Sequence, residues 1–178
     1  MQLIILDRDG VINEDSDEFI KSPQEWTPIR GSLEAIARLH RAGWRVVVAT
    51  NQSGIARKLF DLNTLARIHA TMHRRAIESG GLIDAVFFCP HGPDDGCSCR
   101  KPLPGMFHDI AARLHISLQG IPAIGDSLRD IQAAQSAGAT PLLVKTGKGF
   151  GTVSHPDFDQ AVPVFNDLYG AVDHLLTR

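Results

Sequence analysis

Short apolar runs alternate with longer amphipathic stretches along this chain. Leu3-Ile4-Ile5-Leu6 predicts a buried strand. Arg45–Ala49, with three successive valines, predicts a second, Ala85–Phe88 a third, Pro122–Ile124 a fourth and Pro141–Val144 a fifth. Between them the apolar period changes from two to nearly four. Ser32–Ala42 sets Leu33, Ile36, Ala37 and Leu39 on one helical face and stops at Gly43. Leu62–Ser79 predicts a long helix ended by Gly80-Gly81, and Gly105–His115, Leu128–Ala137 and Asn166–Leu176 predict three more. Residues 90–104 are crowded with Pro, Gly, Asp and Cys and predict a loop; residues 148–163 have few periodic positions and predict another.

Alternating strands and helices predict an α/β fold: a doubly wound, mainly parallel sheet with helices on both faces. The 178 residues suit one domain, 1–178, with neither an internal repeat nor a low-complexity run. Eighteen Lys and Arg against 20 Asp and Glu leave a formal charge of −2, which argues against bulk electrostatic binding of nucleic acid. Aromatic content of 6% argues against base stacking. No run approaches the roughly 18 to 20 apolar residues of a membrane span, and the apolar start Leu3–Leu6 is too short for a signal-peptide core. The expected setting is cytoplasmic.

In an open α/β sheet, ligands bind beyond the carboxyl ends of the strands, so the residues that follow each strand carry the chemistry. Asp7 and Asp9 follow the first strand, with Gly10 easing a turn; Thr50-Asn51-Gln52-Ser53 follow the second; Gly125-Asp126-Ser127 and Asp130 follow the fourth. Two acids two residues apart repel unless a cation stands beside them, and Asp126 can add a further oxygen. Clustered carboxylate oxygens suit Mg²⁺, which shares its shell with water and phosphate.

All three cysteines fall between positions 89 and 99, an odd and clustered set that argues against a disulfide framework. Cys89, His91, Cys97 and Cys99 offer three thiolates and an imidazole within eleven positions, a set that suits a closed, structural tetrahedral Zn²⁺ site. Zinc would order a loop, 89–99, that leads directly into Arg100 and Lys101, coupling folding to chemistry.

Asp7-x-Asp9-Gly10-Val11, Thr50, Lys101 in Arg-Lys-Pro, and Gly125-Asp126-x-x-x-Asp130 occur in the order of the four motifs of the haloacid dehalogenase (HAD) superfamily of phosphatases, which this chain resembles over residues 7–130. With Thr50–Arg57 (Thr-Asn-Gln-Ser-Gly-Ile-Ala-Arg), Cys-Pro-His and Cys-x-Cys-Arg-Lys-Pro, it further resembles the zinc-containing heptose-bisphosphate phosphatase family and the related histidinol-phosphatase domain. The resemblance implies a Rossmann-like fold without a large cap domain. It implies Asp7 as nucleophile forming an aspartyl-phosphate, and Asp9 as the acid and base serving leaving alcohol and water. It also implies Thr50 and Lys101 on the phosphoryl group, and Mg²⁺ held by the Asp7 and Asp126 side chains and the Asp9 carbonyl. Asp130 would orient Lys101 or a metal-bound water, or serve only as a first-turn helix acid.

The implied activity is removal of the C7 phosphate of D-glycero-D-manno-heptose 1,7-bisphosphate, in making ADP-heptose for lipopolysaccharide cores. Histidinol phosphate is the alternative substrate, and a zinc-stabilised nucleic-acid-end phosphatase or binding module the alternative of another class. A small phosphorylated sugar is the expected partner, with neither nucleic acid nor membrane, and the chain is expected to be a monomer. Arg100 is expected on the second phosphate. Asn51, Gln52 and Ser53 are expected to bond phosphate or sugar hydroxyls, although for Gln52 loop capping explains the residue as well. Remaining features read as structure: Arg57 as a solvated charge, His69 and His73 as a surface face of their helix, Trp26 and Trp44 as packing, and Gly147-Lys148-Gly149 as a flexible turn. Asp15–Trp26 would form an edge over the site.

Overall fold

The computed structural model describes residues 2–177. Its strands are β1 (Gln2–Leu6), β2 (Trp44–Asn51), β3 (Ala85–Cys89), β4 (Pro122–Gly125), β5 (Thr140–Val144) and β6 (Val164–Phe165). They form one six-stranded sheet in the order β3-β2-β1-β4-β5-β6, and every pairing is parallel. Helices α1 (Ser32–Arg41), α2 (Leu62–Glu78), α3 (Gly105–Leu114), α4 (Leu128–Ser136), α5 (Gly149–Val153) and α6 (Leu168–Leu176) complete the fold. The expected doubly wound α/β architecture is the one observed.

The period of two along β1 explains the layering. Ile4 and Leu6 point to one face, where they join Ile36 and Leu39 of α1, Ile68 and Met72 of α2 and Leu168 and Val172 of α6. Leu3 and Ile5 point to the other, packing with Met106, Phe107 and Ile110 of α3 and Ala133 and Ala134 of α4. Because both faces are covered, β1 reads as an unbroken apolar run rather than an alternation. Trp26 is buried in the first of these layers and Trp44 packs at its edge.

Side-chain caps fix where the helices start. The Asp61 carboxylate accepts from the Thr64 N–H at 2.7 Å to open α2, and Asp167 accepts from Gly170 at 2.8 Å to open α6. The Ser32 hydroxyl donates to the Ile12 carbonyl at 2.6 Å, tying α1 to the segment that leaves β1.

The stretch 148–163 departs from the expected loop, since Gly149–Val153 is helical. Two glycines in five residues conceal it, because the turn is set by tertiary contacts and not by propensity. The Thr152 hydroxyl donates to the Asp126 carbonyl at 2.8 Å, and a Cβ on Gly149 would lie 1.9 Å from the Val144 carbonyl. The two-residue β6 beyond it is too short for any periodicity to announce. No helix among the described residues is long and apolar enough to cross a membrane.

Candidate active site and metal centres

Strand order reverses between β1 and β4, so the chain diverges to either side beyond their ends and leaves a crevice there. A cleft of about 240 Å³ occupies it, lined among others by Asp7, Asp9, Thr50, Lys101, Asp126 and Asp130. Residues far apart in sequence thus meet on one rim, as the strand-end argument requires.

Asp7 leaves β1 with its N–H bonded to the Ile124 carbonyl of β4 at 2.9 Å. Its Oδ1 accepts from the Arg8 N–H at 2.8 Å and lies 3.0 Å from Lys101 Nζ. Lys101, 3% exposed, also contacts Asp130 and donates to the Ala49 carbonyl at 2.8 Å. Asp130 pairs with Lys101, and its Oδ2 accepts from the Ser127 N–H at 3.0 Å and the Ser127 hydroxyl at 2.6 Å, closing the first turn of α4.

Oxygens of Asp7, Asp126 and Asp130 lie within 4.8 Å of one another. Burial and the neighbouring Asp130 charge push Asp7 up to about 7, against the opposing pull of Lys101. Burial, then Asp130 and Asp7, push Asp126 up to about 8. Burial also opposes the charge on Lys101, but Asp130 and Asp7 outweigh it and raise its pKa. Burial likewise opposes the Asp130 carboxylate, yet Lys101 and the Ser127 hydrogen bonds hold it below the usual range. One ammonium therefore does not neutralise three gathered acids. An all-oxygen donor set with surplus negative charge is what a hard divalent cation needs, so the residues fit Mg²⁺.

Backbone geometry makes room for Asp126. A Cβ on Gly10, at φ +82°, or on Gly147, at φ +56°, would lie 2.1 Å from Asp126 Oδ2. The same oxygen accepts from the Lys148 N–H at 2.7 Å, so Gly147-Lys148 is part of the site's wall and not a free turn.

Asp9 is 21% exposed and densely bonded. It accepts from Arg8 through Nε at 3.1 Å and Nη2 at 3.0 and 3.1 Å, from Asn13 Nδ2 at 2.8 Å and from Gln52 Nε2 at 3.0 Å. Gln52 Nε2 also donates to the buried Thr50 hydroxyl at 2.9 Å. Asn51 and Gln52, expected at the substrate, line the cleft but commit their amides inward. Asn51 Nδ2 donates to the Lys101 carbonyl at 3.0 Å and its Oδ1 accepts from the Lys101 N–H at 3.1 Å, clamping the lysine's backbone. Ser53 is buried at the cleft wall.

At the end of β3, Cys89, His91, Cys97 and Cys99 bring their ligand atoms within 4.8 Å of one another. The Sγ–Sγ distances are 3.1 Å (Cys99–Cys89) and 3.7 Å (Cys89–Cys97), and His91 Nδ1 lies 3.5 and 3.4 Å from Cys89 and Cys99. Four ligands at about 2.3 Å around a tetrahedral ion stand about 3.8 Å apart, so the cage is close to that size and the thiols are unbridged.

Two surprises concern basic residues. Arg57 and Arg129 line the cleft beside Arg100 and Lys148. Burial and the charges of Arg129 and Arg57 lower the pKa of Arg100, the mark of guanidiniums crowded around a shared space. Arg57 is therefore not merely a solvated charge, and no periodicity marks Arg129, because each owes its place to the sheet order. His69 corrects the surface reading: it is only 9% exposed, and its Nε2 faces Nη1 of the fully buried Arg8 at 3.2 Å.

Comparison with known proteins gives concordant results. The family model described as HAD-hydrolase-like matches residues 98–171, and that of polynucleotide kinase 3 phosphatase matches residues 2–128. The D-glycero-beta-D-manno-heptose-1,7-bisphosphate 7-phosphatase of Bordetella bronchiseptica is 58% identical over 176 residues, covering 99% of this chain and 98% of that protein. Its Pseudomonas aeruginosa counterpart is 51% identical over 174 residues, covering 98% and 97%. The crystal structure of the D,D-heptose 1,7-bisphosphate phosphatase from B. bronchiseptica, complexed with magnesium and phosphate, superposes with a TM-score of 0.97 at 58% identity and covers 99% of each chain. Likeness of this degree along the whole chain is shared descent, and the chain belongs to the D-glycero-β-D-manno-heptose-1,7-bisphosphate 7-phosphatase family of HAD-like phosphatases.

Proposed function

We propose that this phosphatase removes the C7 phosphate of D-glycero-D-manno-heptose 1,7-bisphosphate, a reaction that serves ADP-heptose synthesis. The observation that carries the reading is one cleft with two chemistries: the Asp7, Asp126 and Lys101 cluster at its floor, and Arg57, Arg100, Arg129 and Lys148 along its wall. The floor suits a phosphoryl group in transit, and the wall suits a second phosphate that is held and kept. Relatives named for a bisphosphate substrate support the same reading.

Asp7 is the nucleophile: its free oxygen attacks phosphorus, the P–O bond to the sugar breaks, and Asp9 delivers a proton to the departing alcohol. Water, deprotonated by Asp9, then cleaves the aspartyl-phosphate. Lys101 and the Thr50 hydroxyl face the charge that gathers on the phosphoryl oxygens. The Asp7 and Asp126 side chains and the Asp9 carbonyl would hold Mg²⁺, which would neutralise charge there when bound. Asp130 fixes Lys101, and Asn51 fixes the backbone that carries it. Gln52 and Ser53 serve the cleft's own framework before they serve substrate.

Phosphate release in Mg²⁺ from heptose 1,7-bisphosphate, histidinol phosphate and a 3′-phosphorylated oligonucleotide tests the assignment. The heptose should be preferred and should lose a single phosphate, and Arg100→Ala should weaken its use about tenfold or more. Preference for histidinol phosphate, or equal use of both, overturns the substrate. The arginine wall already argues against that amine-bearing compound. Match to the polynucleotide phosphatase model favours the oligonucleotide, but among the described residues Phe19 is the one aromatic that lines the cleft, and the chain's charge of −2 gives no bulk attraction for a polyanion.

We further propose a structural Zn²⁺ in the Cys89, His91, Cys97 and Cys99 cage, in a monomer that works as one domain in the cytoplasm. Elemental analysis after dialysis should give one zinc per chain, and Cys99→Ser should lose it together with most activity while the sheet's circular dichroism persists. A metal-free protein with freely titrating thiols at full activity overturns the cage. Sedimentation checks the monomer.

A further inference from the structure

Arg8 is a fully buried guanidinium, an expensive group to remove from water. Three of its contacts grip the Asp9 carboxylate, a fourth goes to Gln52 Oε1 at 3.2 Å, and the remaining one goes to His69 Nε2 at 3.2 Å. A guanidinium only donates, so the imidazole must accept, which puts its own proton on Nδ1. His69 sits on α2, packed against Phe88 of β3 at 6.1 Å between ring centres. Arg8 is thus anchored from the helix behind the sheet and from the loop after β2, and its fork can present only one orientation to Asp9. The two acids emerging from β1 differ accordingly. Asp7 is bonded by Lys101 and the backbone, whereas Asp9 is held by Asn13, Gln52 and Arg8, and of these Arg8 makes the most contacts and is itself bonded to His69.

We propose that His69 is a positioning residue for the proton transfer at Asp9: through Arg8 it fixes the carboxylate toward the leaving alcohol, and so it matters for esters whose leaving group must be protonated. The proposal rests on the reading of Asp9 as acid and base. In the first step Asp7 oxygen bonds phosphorus, the ester P–O bond breaks, and the Asp9 proton moves to the alcohol oxygen. With p-nitrophenyl phosphate the same bonds form and break, but nitrophenolate departs without that proton.

The experiment compares rapid-quench phosphorylation by the sugar bisphosphate with the stopped-flow nitrophenolate burst from the aryl ester, in Mg²⁺. His69→Leu removes the acceptor, His69→Gln keeps one within reach of Arg8, and His69→Asn keeps polarity but not reach. His69→Leu and His69→Asn should slow phosphorylation by the sugar about tenfold, hold KM within about twofold, and leave the rate of the aryl burst unchanged; His69→Gln should recover most of the loss. Equal slowing of both esters, no slowing in folded His69→Asn, or failure of His69→Gln to recover overturns the positioning role. Asp9→Asn run alongside should show the same selectivity for the sugar ester, only larger. If Asp9→Asn slows both esters alike, the acid–base reading itself falls; if it is selective and the His69 variants are not, only the role of His69 falls.

Discussion

Asp7→Asn should abolish turnover and stiffen the fold at the same time. Loss of the nucleophile removes the covalent route, so kcat should fall by about 10⁴-fold or more. The wild-type carboxylate is held up to about 7 by burial and by Asp130. Its folded pKa lies above its unfolded one, so ionisation costs the folded state stability progressively from about pH 4, the cost reaching its full size above about pH 7. The neutral isostere escapes that cost. In magnesium-free buffer the variant should therefore melt higher than wild type at pH 8 and at nearly the same temperature at pH 4. Near-normal phosphate release would remove Asp7 as nucleophile; a melting temperature lowered at pH 8 would refute the charge argument. A gain of stability on loss of function is the expected signature of a site that tolerates strain for chemistry.

Lys101→Met should fail on both counts. The ammonium touches Asp7 at 3.0 Å, Asp130 and the Ala49 carbonyl, and its loss leaves carboxylates buried beside an apolar chain of similar length. Breaking a buried pair from one side costs on the order of 3 to 5 kcal/mol. The dependence on pH follows from Asp130, whose folded pKa Lys101 helps to hold below the unfolded value. That contribution is present above about pH 4 and is lost as pH falls through the folded pKa. Urea melts should thus separate variant from wild type widely at pH 8 and narrowly below pH 4, with phosphate release gone at both. A variant as stable as wild type at pH 8 would show that the lysine is not the counter-charge of the cluster.

Much of this site could be read before the fold was known, and the boundary between what could and could not is physical. Asp7, Asp9, Thr50, Asp126 and the cysteines announce themselves because each follows an apolar run, or another ligand, within a few positions. Arg8 and His69 do not, being 61 positions apart with nothing local to join them. Only the packing of α2 against the β1 end brings His69 inside, and its neighbours in sequence look like any amphipathic surface. Arg57 and Arg129 are hidden for a similar reason, each being one charge among many until the sheet order faces both toward the same cleft. Asn51 and Gln52 show another limit: residue type reveals that an amide can bond a sugar, but not that Lys101 and Asp9 have already taken its hydrogens.

The glycines at 10 and 147, far apart in sequence, both press on Asp126, each with a Cβ-sized gap already filled by its oxygen. A replacement at either position collides with the same atom, and a Cβ on Gly147 would also lie 2.6 Å from Gly10 Cα, so the two glycines close on one another as well as on the carboxylate. In the space of sequences reachable by single changes, these two positions are walls, while Asp17 and Arg57, which also line the cleft, are exposed to solvent. The fold therefore separates an immovable half of its mouth from an adjustable one, and a descendant of this chain could change what it accepts without rebuilding the place where the bond is cut.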